Sequence, residues 1–255
     1  MSIYNPCACV EVDAVLTIFY PMIMSLIPQN LQAINATIAA AAQEAGRAPQ
    51  SARLLAVSKT FGPEAVLEAV EAGQRAFGEN YLQEGLDKIG RLLELGAPPL
   101  EWHFIGPIQS NKTRPIAENF AWVHTVEREK IAQRLSEQRP AGMAPLQICL
   151  QVNISGEASK SGVAPEALAA LAHQVAALPN LTLRGLMAIP EPAVEFDQQR
   201  AAFARLRVLY EQLRADGLAL DTLSMGMSAD LRAAVVEGAT IVRVGSAIFG
   251  SRNYS

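Results

Sequence analysis

Short apolar runs alternate with stretches in which apolar residues recur every three or four positions, and this rhythm reads as strands followed by helices. Leu31, Ile34, Ile38, Ala41 and Ala42 share one helical face up to Glu44, and Gly46 closes that helix. Arg53 to Val57 is then a strand without helical period. The chain turns at Phe61-Gly62-Pro63, and Glu64 to Ala72 is a helix with Pro63 at its first position and Gly73 as its C-cap. Further strands are expected at Gln74–Phe77, Glu101–Ile105, Ala121–Thr125, Leu146–Val152, Leu181–Ile189, Thr222–Met225 and Ile241–Val244. Helices are expected at Tyr81–Leu95, Asn111–Asn119 (with Pro115 near its start), Glu127–Gln138, Pro165–Leu178, Glu195–Ala215 and Ala229–Glu237.

Eight strand-then-helix units leave no room for antiparallel hairpins and predict an α/β fold, a single (β/α)8 TIM-type barrel. A doubly wound open sheet is the competing arrangement. Against it, no strand runs into a glycine-rich dinucleotide fingerprint and no linker divides the chain. With 255 residues, half of them hydrophobic, there is enough apolar material for such a core. The net charge of −4, with no basic block, argues against a nucleic-acid surface and does not favour a membrane one. Cys7, Cys9 and Cys149 are too few for a disulfide framework or a complete zinc site, so a reducing cytoplasm is expected. His124 and His173 have no ligand spacing, and no metal is assigned.

Residues 1–24 differ from the rest. Their apolar end, Val15 to Met24, is too short to span a bilayer, is preceded by Glu11 and Asp13, and lacks a basic leader or a cleavage pattern. They read as a non-essential extension, with residues 25–255 forming the barrel.

Chemistry collects where the strands end. Lys59 terminates the first apolar strand between Ser58 and Thr60, where loss of hydration would make its amine available for a Schiff base; the alternative is a lysine that merely snorkels to solvent. Asn80, His103, Asn153 and Met187 end other strands, although His103 between Trp102 and Phe104 reads more readily as a hydrogen-bonded core residue. Ser224-Met225-Gly226-Met227-Ser228 and Gly245-Ser246-Ala247 bring hydroxyls and unobstructed amides to the loops after strands seven and eight, where barrel enzymes often hold phosphate. Ordinary small-residue turns are the other reading. An aldehyde cofactor bearing a phosphate, pyridoxal 5′-phosphate (PLP), unites these features. Arg243 would then face its pyridine nitrogen. A guanidinium cannot accept a proton and would leave that nitrogen unprotonated; otherwise Arg243 is a salt-bridged structural residue.

Six ordered motifs carry a resemblance: Ala56-Val57-Ser58-Lys59-Thr60, Phe77-Gly78-Glu79-Asn80-Tyr81-Leu82-Gln83-Glu84, Trp102 to Lys112, Ser159-Lys160-Ser161-Gly162, Leu223 to Ser228 and Arg243 to Gly250. From about residue 30 onward the chain resembles the pyridoxal-phosphate homeostasis protein family, which is similar in fold to the N-terminal barrel of bacterial alanine racemases. The resemblance implies that Lys59 carries PLP as a Schiff base and that Asn80 lies beside the ring. It also implies that Ser224, Gly245 and Ser246 hold the phosphate and that Arg243 faces the pyridine nitrogen. Many relatives have threonine where this chain has Ser246, which keeps the hydroxyl. Lys160 resembles a lysine linked in the family to cofactor exchange, with a solvated loop residue as the alternative.

The function implied is intracellular buffering and supply of PLP, without dedicated turnover, to apo PLP-dependent enzymes. A monomer is expected. The runner-up is a weak amino-acid racemase. Racemisation needs acid–base groups on both faces of the α-carbon. Alanine racemases bring the second, a tyrosine, on a separate β-domain, and neither Tyr81 nor Tyr254 is an obvious substitute. A third reading is a barrel enzyme for phosphorylated sugars using Lys59 with a carbonyl substrate.

Overall fold

The structure is a computed structural model and describes residues 25–156 and 161–250. The extension assigned to residues 1–24 therefore lies outside the described residues, as does Lys160. Eight parallel strands, β1 (Arg53–Val57), β2 (Ala76–Glu79), β3 (Glu101–Phe104), β4 (Trp122–Val126), β5 (Leu146–Gln151), β6 (Leu181–Met187), β7 (Thr222–Ser224) and β8 (Ile241–Val244), follow one another around a closed barrel. Closure is made by β1 against β8, with Leu55 opposite Arg243 and Ala56 opposite Val244. The open-sheet alternative is thereby excluded.

Helices α1 (Ile27–Glu44), α2 (Pro63–Glu71), α3 (Leu82–Glu94), α4 (Thr113–Asn119), α5 (Glu129–Gln138), α6 (Pro165–Ala176), α7 (Phe196–Ala215), α8 (Leu231–Val236) and α9 (Ser246–Phe249) surround the strands. Pro63 and Pro165 occupy first-turn positions, where a missing N–H costs nothing. Pro115, third in α4, likewise breaks no intrahelical bond. None of the described helices is long and apolar enough to cross a membrane.

The apolar core has two compartments. The larger lies between strands and helices. The smaller fills the barrel itself with Leu55, Val57, Ile105, Trp122, Cys149, Met187 and Ile241. Period-2 alternation decides which side chains enter the smaller compartment.

Two departures from the predicted elements have physical causes. The second strand begins at Ala76 and runs on to Glu79, because Gly78 is an inward strand position and not a turn. A Cβ there would press Ile105 Cδ1 at 3.1 Å and Leu55 Cδ2 at 3.2 Å, so the missing side chain makes room for the interior layer. The short helix α9 has no counterpart among the predicted elements, since a single turn carries no periodic signal.

Candidate functional site

Lys59 sits where β1 ends. The ladder continues one residue beyond the strand, with Ser58 N–H donating to Gly78 O at 3.1 Å. Ser58 turns its hydroxyl outward to Glu79 Oε1 at 2.7 Å, so alternation sets the next residue, Lys59, on the inner side of the barrel at its C-terminal mouth. The chain then bends sharply: Thr60 adopts φ 69°, a left-handed conformation costly for a β-branched residue, and Phe61 N–H returns to Ser58 O.

One ion cluster holds both neighbours of Lys59. The buried ammonium of Lys88, on α3, donates to Ser58 O at 2.6 Å, Glu79 Oε1 at 2.7 Å and Glu84 Oε1 at 2.6 Å. Glu84 Oε1 in turn accepts the Thr60 N–H at 2.5 Å. Burial raises the Glu79 carboxyl above its ordinary range, opposed by Lys88 and Ser58.

Asn80 follows β2 and lines a cavity of about 300 Å³ at the C-terminal mouth, together with Ile105, Pro107, Thr125, Gln151 and Ile189. Its Oδ1 is buried and has no hydrogen-bond partner among the described residues. An acceptor left in this state is costly unless a ligand supplies a donor. Gly106 packs directly on this residue, and a Cβ there would lie 2.0 Å from the Asn80 carbonyl oxygen.

Across the mouth, the loop after β7 is tied to β8 by Arg243 N–H donating to Gly226 O at 3.0 Å. Gly245 passes so close to β1 that a Cβ would stand 3.0 Å from Val57 O. The start of α9, with exposed Ser246, therefore abuts the strand end that carries Lys59. Arg243 is buried, and its guanidinium donates through Nη1 to Ser224 O at 2.6 Å and Ser224 Oγ at 2.8 Å, and through Nη2 to Ala188 O at 3.0 Å. Burial pushes this arginine down to about 10, which leaves it charged at neutral pH.

Ser224 departs from its expected place on a phosphate. Its side chain is fully buried inside the barrel, accepting from Arg243 and lying 2.8 Å from His124 Nδ1. A phosphate oxygen needs a donor, and wherever His124 Nδ1 is an acceptor it takes the single proton of this hydroxyl.

His124 Nε2 is 2.8 Å from His103 Nδ1, and His103 Nε2 is 2.8 Å from Glu101 Oε1, which also meets Arg53 at 2.6 Å. Burial pushes His103 down to about 4, against the pull of Glu101, and lowers His124 well below the usual imidazole range, with the charges of His103, Arg243 and Arg53 adding to the effect. Burial alone would raise Glu101, yet its hydrogen bond and charge interactions with His103 and Arg53 hold it at about 2. The Cys149 thiol, buried beside them, is pushed up to about 12 and stays protonated. Glu101 opens onto a second cavity of about 620 Å³ at the N-terminal mouth. There Arg53 and Arg184 flank Trp122, and their pairing with Glu101 and Asp221 cancels much of the local charge.

Two neutral buried histidines make stability pH-dependent. Between the ordinary value of 6.5 and about 4 the unfolded chain binds a proton that folded His103 refuses, so stability falls as pH falls through that window. His103→Gln should flatten the slope of unfolding free energy there by about 1.4 kcal/mol per pH unit, read from denaturant titrations. An unchanged slope would mean that His103 is not held neutral.

The sequence profile of the family described as "Alanine racemase, N-terminal domain" matches residues 29–253. A pyridoxal phosphate homeostasis protein of Pseudomonas aeruginosa is 65% identical over 231 residues, covering 91% of this chain and 98% of the relative. The chain belongs to the pyridoxal phosphate homeostasis protein family. PipY of Synechococcus elongatus, solved with PLP bound, is 37% identical with a TM-score of 0.77, over 88% of this chain and 100% of PipY. The alanine racemase of Corynebacterium glutamicum, at 22% identity and a TM-score of 0.62 over 87% of this chain and 61% of the racemase, shares the fold.

In this member of the family the strand ends bring Lys59, Asn80, Gly245 and Ser246 to the C-terminal mouth, with Arg243 and Ser224 one layer deeper. Sequence reasoning passed over the Lys88–Glu79–Glu84 cluster and the pairing of His103 with His124. The signal available was parity: Glu101 and His103 alternate on β3 in phase with Ile105 just beyond it, as Trp122 and His124 do on β4, which marks a polar layer among inward positions.

Proposed function

We propose that this chain binds PLP at the C-terminal mouth of its barrel and acts as an intracellular carrier that buffers and supplies the cofactor, without turnover of its own. Bound PLP supplies an electron-withdrawing ring to whatever amine is attached to its aldehyde. Lys59 offers that amine as a Schiff base. Arg243 remains charged and cannot take a proton, which disfavours protonation of the pyridine nitrogen and weakens the ring as an electron sink. Gly245 and Ser246 hold the phosphate through backbone amides and a hydroxyl, and Asn80 lies beside the ring.

The observation that carries the reading is the close approach of Gly245 to Val57, which unites the lysine turn and the start of α9 on one rim. The unpartnered Asn80 Oδ1 fits a ligand there, and the relative named for PLP homeostasis and the PLP-bound PipY supply its chemistry. The match to the Pseudomonas relative, over 231 residues and 98% of its length, supports residues 25–255 as the working barrel with residues 1–24 as a non-essential extension. The chain works as a monomer in the cytoplasm, with apo PLP-dependent enzymes as recipients.

Purified protein mixed with PLP should develop an absorbance band that borohydride bleaches, with the added mass on the Lys59 peptide. Lys59→Ala should lose the band, and incubation with L-amino acids should produce no D-enantiomer. An adduct on another lysine would defeat the site assignment. Racemisation that disappears in Lys59→Ala would convert the carrier into an enzyme.

A further inference from the structure

The polar side chains inside the barrel form one directed chain. Glu101 is ionised and accepts only, so His103 carries its proton on Nε2. A neutral His103 then accepts at Nδ1, which requires the proton of His124 on Nε2. His124 Nδ1 is left as an acceptor, the Ser224 hydroxyl donates to it, and a lone pair of Ser224 Oγ is presented to Arg243 Nη1. These tautomers follow from the network, and only this direction satisfies every member.

We propose that His103 and His124 are positioning residues: with Glu101 they orient the Ser224 hydroxyl so that it anchors the Arg243 guanidinium against the ring of the bound cofactor. The inference rests on the PLP-binding reading above. Were His124 protonated on Nδ1 instead, that N–H and the Arg243 N–H would both point at Ser224 Oγ, and the serine proton would lose its acceptor. The orientation of Ser224 is thus set from Glu101, at the opposite mouth, where Arg53 holds the carboxylate.

Stability alone does not account for such a chain. Barrel interiors are commonly filled by Val, Ile and Leu, and replacing a buried polar network with packed apolar side chains is often neutral or stabilising. Here four polar side chains, contributed by β3, β4 and β7, end on the one buried arginine of β8.

The test has an arm that needs no cofactor. In apo protein labelled with 15N-histidine, NMR near neutral pH should find His103 and His124 neutral with protons on Nε2. A proton on Nδ1 of His124 would overturn the inference whatever PLP does. In the second arm, His124→Leu and Ser224→Ala should still form the borohydride-reducible adduct on Lys59. Each should bind PLP about tenfold or more weakly and shift the pH midpoint of the bound chromophore. His124→Asn and Ser224→Thr, which keep an acceptor and a hydroxyl, should recover both properties. The double variant His124→Leu with Ser224→Ala should be no worse than either single one. Unchanged affinity and midpoint in Ser224→Ala, which removes one oxygen and is the readout if His124→Leu does not fold, would also overturn it. Wild-type protein that forms no Lys59 adduct would sink the binding reading itself, a result the apo NMR arm separates from failure of the relay.

Discussion

Lys88→Met should cost about 3–5 kcal/mol of unfolding free energy, because it removes the cation from a buried pair and leaves the carboxylate behind. The Lys88 side chain is 4% exposed and that of Glu79 is 0% exposed. Methionine fills much of the lysine stem but supplies no donor, so Glu79 would keep only the Ser58 hydroxyl. Its carboxyl, already raised by burial, would rise further. A folded-state value above the unfolded one means that stability is retained at low pH and lost as pH rises through the folded value. The defect of Lys88→Met should therefore shrink in mild acid. Adding Glu79→Gln should return most of the loss, since the uncompensated charge disappears. Denaturant titrations of the single and double variants at two pH values check this; a single variant within about 1 kcal/mol of wild type would show that the cluster contributes little. The same substitution removes the donor that holds Ser58 O and, through Glu84, the anchor of Thr60, so the turn carrying Lys59 should loosen and PLP attachment should slow.

Gly106→Ala should be as damaging, by a steric route. The added methyl carbon would stand 2.0 Å from Asn80 O and 2.7 Å from Asn80 C, both backbone atoms that no rotamer change can move. The ends of β2 and β3 must part, which breaks the Ile105 N–H to Glu79 O bond of 2.9 Å and displaces Asn80 from the mouth. A loss of about 3 kcal/mol or more is expected, together with PLP binding weakened by at least about tenfold. Gly90→Ala is the control: it lies within α3, a Cβ there meets nothing within 4 Å, and alanine should stabilise the helix by up to about 1 kcal/mol. Thermal melts of the two variants should move in opposite directions. A Gly106→Ala protein that melts and binds like wild type would mean the two strand ends are not packed this tightly.

Period and punctuation place Arg53–Val57 and Ile241–Val244 at their observed bounds, and α1 and α7 nearly so, because buried strands and amphipathic helices write their environment into local residue order. Gly78 misled that reading, since a glycine that makes room for a barrel interior looks like a glycine that makes a turn. The placement of Lys59, Asn80, Arg243, Gly245 and Ser246, as distinct from their roles, was legible for a similar reason: each stands at or near a strand end, and in a parallel barrel all such ends face one mouth.

The amino-acid order by itself therefore determined the alternation of elements, the barrel it closes into, and the lysine at the end of β1. Only the tertiary structure decided that Ser224 turns inward to Arg243 and His124, that His103 and His124 join Glu101 in one chain, and that Lys88 braces the turn around Lys59. Hydrophobic period is a property of neighbours along the chain. Hydrogen bonds between residues 21 and 100 positions apart depend on register and on which way each side chain faces, and those are settled only when the barrel closes.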